Sequence, residues 1–191
     1  MKSLQTLLVA AVAALALSAC GEKKTTGDII AKKPEAKAAS GPVKMHDSRF
    51  MEEVKWKDKS CYVNIVRRAD TSLPVVKDDA GGQYYDNVID VTIESHKEDG
   101  AAYESKPIFQ KTFGKQDFAS QVDEKYLEKS ALLGIVYDHV DGDNIVFAAS
   151  VGAPDVLSDD FVPLLITVSH SGNMTITKDT RHEGEMEKAQ N

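Results

Sequence analysis

Residues 132–151 read LLGIVYDHVDGDNIVFAASV. Two apolar runs, 132–140 and 145–151, flank Asp141-Gly142-Asp143-Asn144, and these are residue types that enter turns at little cost. The pattern predicts a β-hairpin. Beyond it, residues 153–160 read as a loop and residues 161–169 (FVPLLITVS) as a third strand, and His170-Ser171-Gly172-Asn173 turns into residues 174–178. The result is a four-strand antiparallel meander. Its near-continuous apolar runs call for burial on both faces over part of their length.

Upstream, the two-residue alternation continues. In residues 60–68 (SCYVNIVRR), Cys61, Val63 and Ile65 share one face, and Tyr62, Asn64 and Val66 the other. Asp78-Asp79-Ala80-Gly81-Gly82 is a turn, followed by a strand over residues 83–96. Glu98-Asp99-Gly100 closes a hairpin onto residues 102–113, where Pro107 marks an edge or a bulge. One helix is expected between Gly114 and Ser130. Asp117 can face the free amides of its first turn, and Phe118, Val122 and Tyr126 recur at spacing four. With about eight strands and one or two short helices, the domain is mainly β (α+β). A curved antiparallel sheet with a C-terminal meander and the helix on one face is expected, with a β-sandwich as the alternative.

The N-terminus carries an address. Met1-Lys2 is a minimal basic start, and residues 4–17 (LQTLLVAAVAALAL) hold only two polar side chains, Gln5 and Thr6. At about 1.5 Å per residue, a helix of that length falls short of the roughly 30 Å hydrocarbon core. Residues 1–19 therefore read as a cleaved signal peptide. They end in Leu17-Ser18-Ala19, small residues suited to a peptidase pocket, and Cys20 offers the thiol for diacylglyceryl transfer. The tetrapeptide fits the bacterial lipobox. Cys20 is expected to carry lipid, including fatty chains such as palmitate. Each buried methylene contributes about 0.8 kcal/mol and one chain holds only marginally, so the two or three chains of a mature lipoprotein would anchor it to a lipid bilayer. Gly21 follows, with no aspartate to signal inner-membrane retention, which points to the outer membrane.

Residues 20–44 form a lipidated N-terminus and flexible tether. They are rich in Lys, Ala, Gly and Pro, with a reach of about 25 Å. Residues 45–179 form the globular β-rich domain, and residues 180–191 (TRHEGEMEKAQN) a polar, disordered tail. Residues 45–191 carry 16 basic and 27 acidic side chains, a balance of −11, whereas residues 21–44 stand at +3. The acidic domain argues against nucleic acid, whose phosphates need basic neutralisation. The basic tether suits anionic headgroups. Without Cys20 the only thiol is Cys61, so an intramolecular disulfide is excluded and stability must come from a hydrophobic core.

Chemistry is sparse. Asp138, Asp141, Asp143 and Asn144 crowd together, but Gly142 falls between aspartates and Ala149 stands where a calcium loop needs its closing carboxylate. A hairpin turn explains the same residues. His139 and His170 end the first and third strands of the meander, and Asp138 and Asp141 could add oxygens to a metal site. Strand ends two ladders apart lie about 10 Å from each other, too far for one zinc unless the sheet curls. No metal site and no cofactor are expected. Cys61 alternates with Val63 and Ile65 and reads as a buried hydrophobe. Arg67-Arg68 places a guanidinium on each side of a strand, suiting an anion or, more simply, a salt bridge. Trp56 with Phe50 and Tyr62 could form a sugar platform, although a lone tryptophan more often anchors a core. No G-x-G-x-x-G, P-loop, H-E-x-x-H or G-x-S-x-G occurs.

Residues 70–78 (DTSLPVVKD), 112–119 (TFGKQDFA), 134–151 and 163–176 carry a family likeness. The chain resembles the small uncharacterised lipoproteins of Bacteroides-type bacteria that share one domain of unknown function, over most of residues 60–178. The resemblance implies an exported, β-rich domain and brings no catalytic or binding residues. The functional expectation is a membrane-anchored envelope lipoprotein acting as a noncatalytic module toward a glycan, a peptide or another envelope protein. A metal-dependent or hydrolytic envelope enzyme is the alternative, for which only His139, His170 and Asp138 speak.

Overall fold

The structure, a computed structural model, describes residues 41–95, 107–155 and 157–181. The expected signal peptide, Cys20, the expected tether up to residue 40, the expected Glu98-Asp99-Gly100 turn and residues 182–191 of the expected tail lie outside the described residues. Within them, ten strands run in the order β1 (Ser48–Trp56), β2 (Lys59–Ala69), β3 (Val76–Lys77), β4 (Gln83–Tyr84), β5 (Asn87–Ser95), β6 (Pro107–Phe113), β7 (Ala131–Asp141), β8 (Asn144–Gly152), β9 (Phe161–Ser169) and β10 (Met174–Lys178). The expected mainly β class and the C-terminal meander are both present. The meander is a sheet of order β10-β9-β8-β7, and a second four-stranded sheet has the order β1-β2-β5-β6. Every neighbouring pair in both sheets is antiparallel.

Alternation assigns the faces. Cys61, Val63 and Ile65 on β2, Ile89, Val91 and Ile93 on β5, and Phe109 and Phe113 on β6 are buried in one cluster with Ile145, Phe147 and Val151 of β8 and Leu164, Ile166 and Val168 of β9. The two sheets thus share one core, the two-sheet arrangement expected as the alternative. Consecutive positions are buried at Ile145-Val146-Phe147 of β8 and at the paired ends Ala131-Leu132 of β7 and Val151-Gly152 of β8, so burial on both faces is limited to those stretches of the meander. The hairpin turn falls on Gly142-Asp143, and Gly142 takes φ 54°, a left-handed value that glycine adopts without a Cβ clash. Pro107 opens the edge strand β6, and the β5–β6 register shifts between Ile93 and Glu94, so the proline sits both at an edge and beside an irregularity.

Three local expectations are corrected. The single helix between Gly114 and Ser130 is instead a 3-10 turn at Lys115–Phe118 and a short helix, α1, at Glu124–Lys129. Asp123 separates them, because its Oδ1 accepts the N–H groups of Lys125 and Tyr126 and so starts a new helix. The strand expected over residues 83–96 is broken at Tyr85-Asp86, where Asp86 turns inward, leaving β4 to pair with β3. Residues 48–56, whose alternation is not apolar, form the full edge strand β1, paired with β2 from Ser48↔Arg67 to Trp56↔Lys59. Val43, in the stretch read as tether, bridges Tyr84.

Asp86 and Asn87 tie the sheets together. The Oδ1 of Asp86 accepts the N–H of Asn87 at 2.8 Å and that of Leu132 on β7 at 2.9 Å, and Lys115 Nζ lies 3.5 Å from its Oδ2. Asn87 Nδ2 donates to the carbonyl of Leu132 at 2.8 Å. Asp86 is 2% exposed, so its charge is kept out of water by donors drawn from separate elements.

Candidate functional site

The residues singled out by sequence do not converge. Asp138 is engaged by Arg181, whose Nη1 donates to it at 2.7 Å, and lies 3.3 Å from His139 Nδ1. Asp141 closes the hairpin opposite Asn144. Asp143 pairs with Lys57 at 2.8 Å, and His170 packs on the Trp56 ring at 5.0 Å between centroids. Among the described residues no three His, Cys, Asp or Glu side chains are placed to hold a metal ion.

The sugar platform is also overturned. Trp56 is 1% exposed in the shared core, and Tyr62 lies on the opposite face of the sheet from it, so the three rings form no common surface. Arg68 forms a salt bridge with Asp90. Arg67 donates to the carbonyls of Leu133 and His46 and so fastens β2 to β7. Cys61 is buried, and desolvation pushes its thiol up to about 11, so it is a thiol with no thiolate reactivity at neutral pH.

The structure instead assembles a cleft of about 420 Å³ lined by Asp78, Asp79, Lys125, Tyr126, Lys129, Ser130, Ala153 and Asp160. Three segments build it. The first is the turn between β3 and β4. There Asp78 Oδ1 accepts the Gly82 N–H at 2.6 Å and Oδ2 accepts the Tyr84 hydroxyl at 3.1 Å. Gly82 leaves room for this arrangement, since a Cβ would meet Asp78 Oδ2 at 2.5 Å and the Tyr84 ring at 2.8 Å. The second is α1, which presents Lys125, Tyr126 and Lys129, with Lys129 donating to Asp79 at 2.6 Å. The third is the loop between β8 and β9, closed by the Ala153 N–H donating to the Asp160 carbonyl at 2.9 Å. A Cβ on Gly152 would lie 2.4 Å from that carbonyl, so the backbone approach requires glycine.

The Tyr126 hydroxyl crosses the cleft to Asp160 at 2.9 Å. Burial, then the hydrogen bond to Asp160 and its charge, push this phenol up to about 12, so it remains a donor at neutral pH. Burial, followed by Asp78, likewise raises Tyr84. The lining offers three carboxylates as acceptors and two ammonium groups as donors, with no imidazole and no thiol. Asp78-Asp79 was legible only as a turn and Tyr126 only as part of an apolar helix face. The one signal for the site was Lys125 and Lys129 at helical spacing four beside Tyr126.

Fold and site together define a domain of two four-stranded antiparallel sheets with a small cleft beside α1, its largely apolar wall carrying charged side chains. The chain belongs to the family described as Domain of unknown function (DUF4738), whose model matches residues 28–176. The resemblance to a domain-of-unknown-function family is thereby borne out. No curated protein matches the chain.

Proposed function

We propose that this chain is a lipid-anchored protein of the bacterial envelope, seated in the outer membrane, whose domain binds a neutral glycan in the cleft without catalysis. The binding reading is carried by the cleft lining. Acceptors at Asp78, Asp79 and Asp160 and ammonium donors at Lys125 and Lys129 surround a volume within the about 300–1,000 Å³ of small-ligand sites. Sugar hydroxyls both donate and accept, so they can satisfy such a mixed lining. The formal charges of the lining nearly cancel, which favours an uncharged ligand. Tyr126, held in its protonated form with its one proton donated to Asp160, does not abstract a proton from a ligand.

A thermal-shift screen of the full chain in detergent against neutral oligosaccharides and peptidoglycan fragments tests the binding reading. A ligand at a hundred times its Kd adds about 2.7 kcal/mol, which raises Tm by about 5–10 °C for a domain of this size. The shift is expected to vanish in a chain carrying Asp160→Asn and Lys129→Met. A flat screen, or a shift that survives those substitutions, removes the glycan from the cleft.

The anchor rests on Leu17-Ser18-Ala19-Cys20 beside its apolar run. Cys20→Ser is expected to move the protein from the membrane pellet into the soluble periplasmic fraction, because no acyl chain remains to hold an acidic domain at a bilayer. Continued sedimentation of the variant with membranes, or an unmodified mature N-terminus in the unaltered protein by mass spectrometry, would sink the anchor.

A further inference from the structure

Among the described residues β1 has a strand partner on one side only, at the edge of its sheet. It runs nine residues, and the ladder it forms with β2 has no irregularity. Such an edge is a template for another strand, and folded proteins blunt it with a bulge, a proline, a covering segment or charged side chains; of these β1 carries, among the described residues, only charges, at Arg49, Glu52, Glu53 and Lys55. Two large apolar side chains stand out near its middle, Phe50 at 43% and Met51 at 68% exposure.

We propose that this edge is a homodimer interface, in which β1 of a second copy pairs antiparallel with β1 about a two-fold axis at Met51. The hydrogen-bond phase permits it. Trp56 and Lys59 flank the two-residue turn Lys57-Asp58 and exchange the closing bonds of the hairpin. Even-numbered residues of β1 therefore direct their N–H and C=O groups at β2. Those of Arg49, Met51, Glu53 and Lys55 point away from the sheet, ready to bond another strand.

The charges then select the register. With the axis at Met51, Met51 faces Met51 and Arg49 faces Glu53 twice, all on one face of the extended sheet. On the other face Phe50 lies beside the stem of Glu52. Moving the axis to Glu52 sets that carboxylate against itself and Arg49 against Lys55. Moving it to Glu53 sets two glutamates face to face. Like charges directly opposite across a ladder destabilise it, whereas opposite charges and apolar pairs support it. The strand is self-complementary in the register that centres its most exposed apolar side chain. A two-fold interface needs that property, because the same patch must serve both sides.

Light scattering on the detergent-solubilised full chain should find a dimer. Arg49→Glu or Glu53→Arg alone should weaken association at least about tenfold, since each replaces two attractive pairs by two repulsive ones. The two together should restore it. Circular dichroism would confirm that the exposed substitutions leave the fold intact. A second measurement reads the register itself. A hydrogen-bonded antiparallel pair sets Cα atoms about 5.5 Å apart, within disulfide range. Met51→Cys in the full chain should give an oxidant-dependent dimer on a nonreducing gel, and Arg49→Cys and the unaltered chain should not. A monomer at every concentration overturns the proposal. So does a dimer indifferent to the charge reversals, or equal cross-linking at positions 49 and 51.

Discussion

Asp86→Ala is expected to lower the unfolding free energy by about 3–5 kcal/mol, the range for removing one partner from a buried charge network. Alanine would leave the N–H of Leu132 at the head of β7 with no acceptor, and would strip Lys115 of the carboxylate 3.5 Å away. The Asn87 N–H, bonded to the same oxygen, would also lose its acceptor. Lys115 would retain its bond to the Ser130 carbonyl at 2.7 Å, so the damage centres on the junction between the start of β5 and the start of β7. Asp86→Asn keeps an oxygen for both backbone donors and loses only the charge, and its cost should be about 1–3 kcal/mol. Urea denaturation with an unchanged slope measures both. A cost for the alanine variant under about 1 kcal/mol would mean that the network does not hold the sheets together.

Phe147→Ala should cost about 3–5 kcal/mol, because a fully buried ring leaves a cavity that surrounding β-strands cannot collapse to fill. Phe147 points from β8 into the core shared by both sheets and meets Tyr137 edge-on at 6.5 Å between centroids. Val136, one position earlier on β7, is 59% exposed, and Val136→Ala should change stability by no more than about 0.5 kcal/mol. The contrast reads the alternation directly. Equal costs at the two positions would contradict the assignment of the inner face.

Much of the C-terminal half was legible because local chemistry and tertiary burial agree there. Gly142 takes the positive φ that its place in a polar tetrapeptide implied, and the two runs beside it pair from Ala131↔Gly152 to Asp141↔Asn144. Cys61 is buried as its alternation with Val63 and Ile65 indicated. The expectations failed where a single polar side chain overrode a periodic pattern. Spacing four at Phe118, Val122 and Tyr126 does not show that the Asp123 carboxylate will cap two amides and restart the helix. The alternation of residues 83–96 likewise does not show that Asp86 will leave the ladder to serve Leu132. β1 escaped notice because seven of its nine residues, Ser48 to Glu53 and Lys55, are exposed, and a strand solvated on both faces over most of its length has no apolar period to read.

From its residue order alone this protein is mainly β, with the C-terminal meander and the buried thiol written in local patterns. Alternation states that one face of each strand is buried, and turn residues state where the chain reverses. Tertiary structure alone decided against what those faces pack, so that eight of the ten described strands divide into two four-stranded sheets around one core. It also brought Asp78, Tyr126 and Asp160 to one cleft and, among the described residues, left β1 with a strand partner on one side only. Those outcomes depend on side chains far apart in the chain, and their meeting is set by how the sheets pack and by where a buried charge such as Asp86 finds its donors.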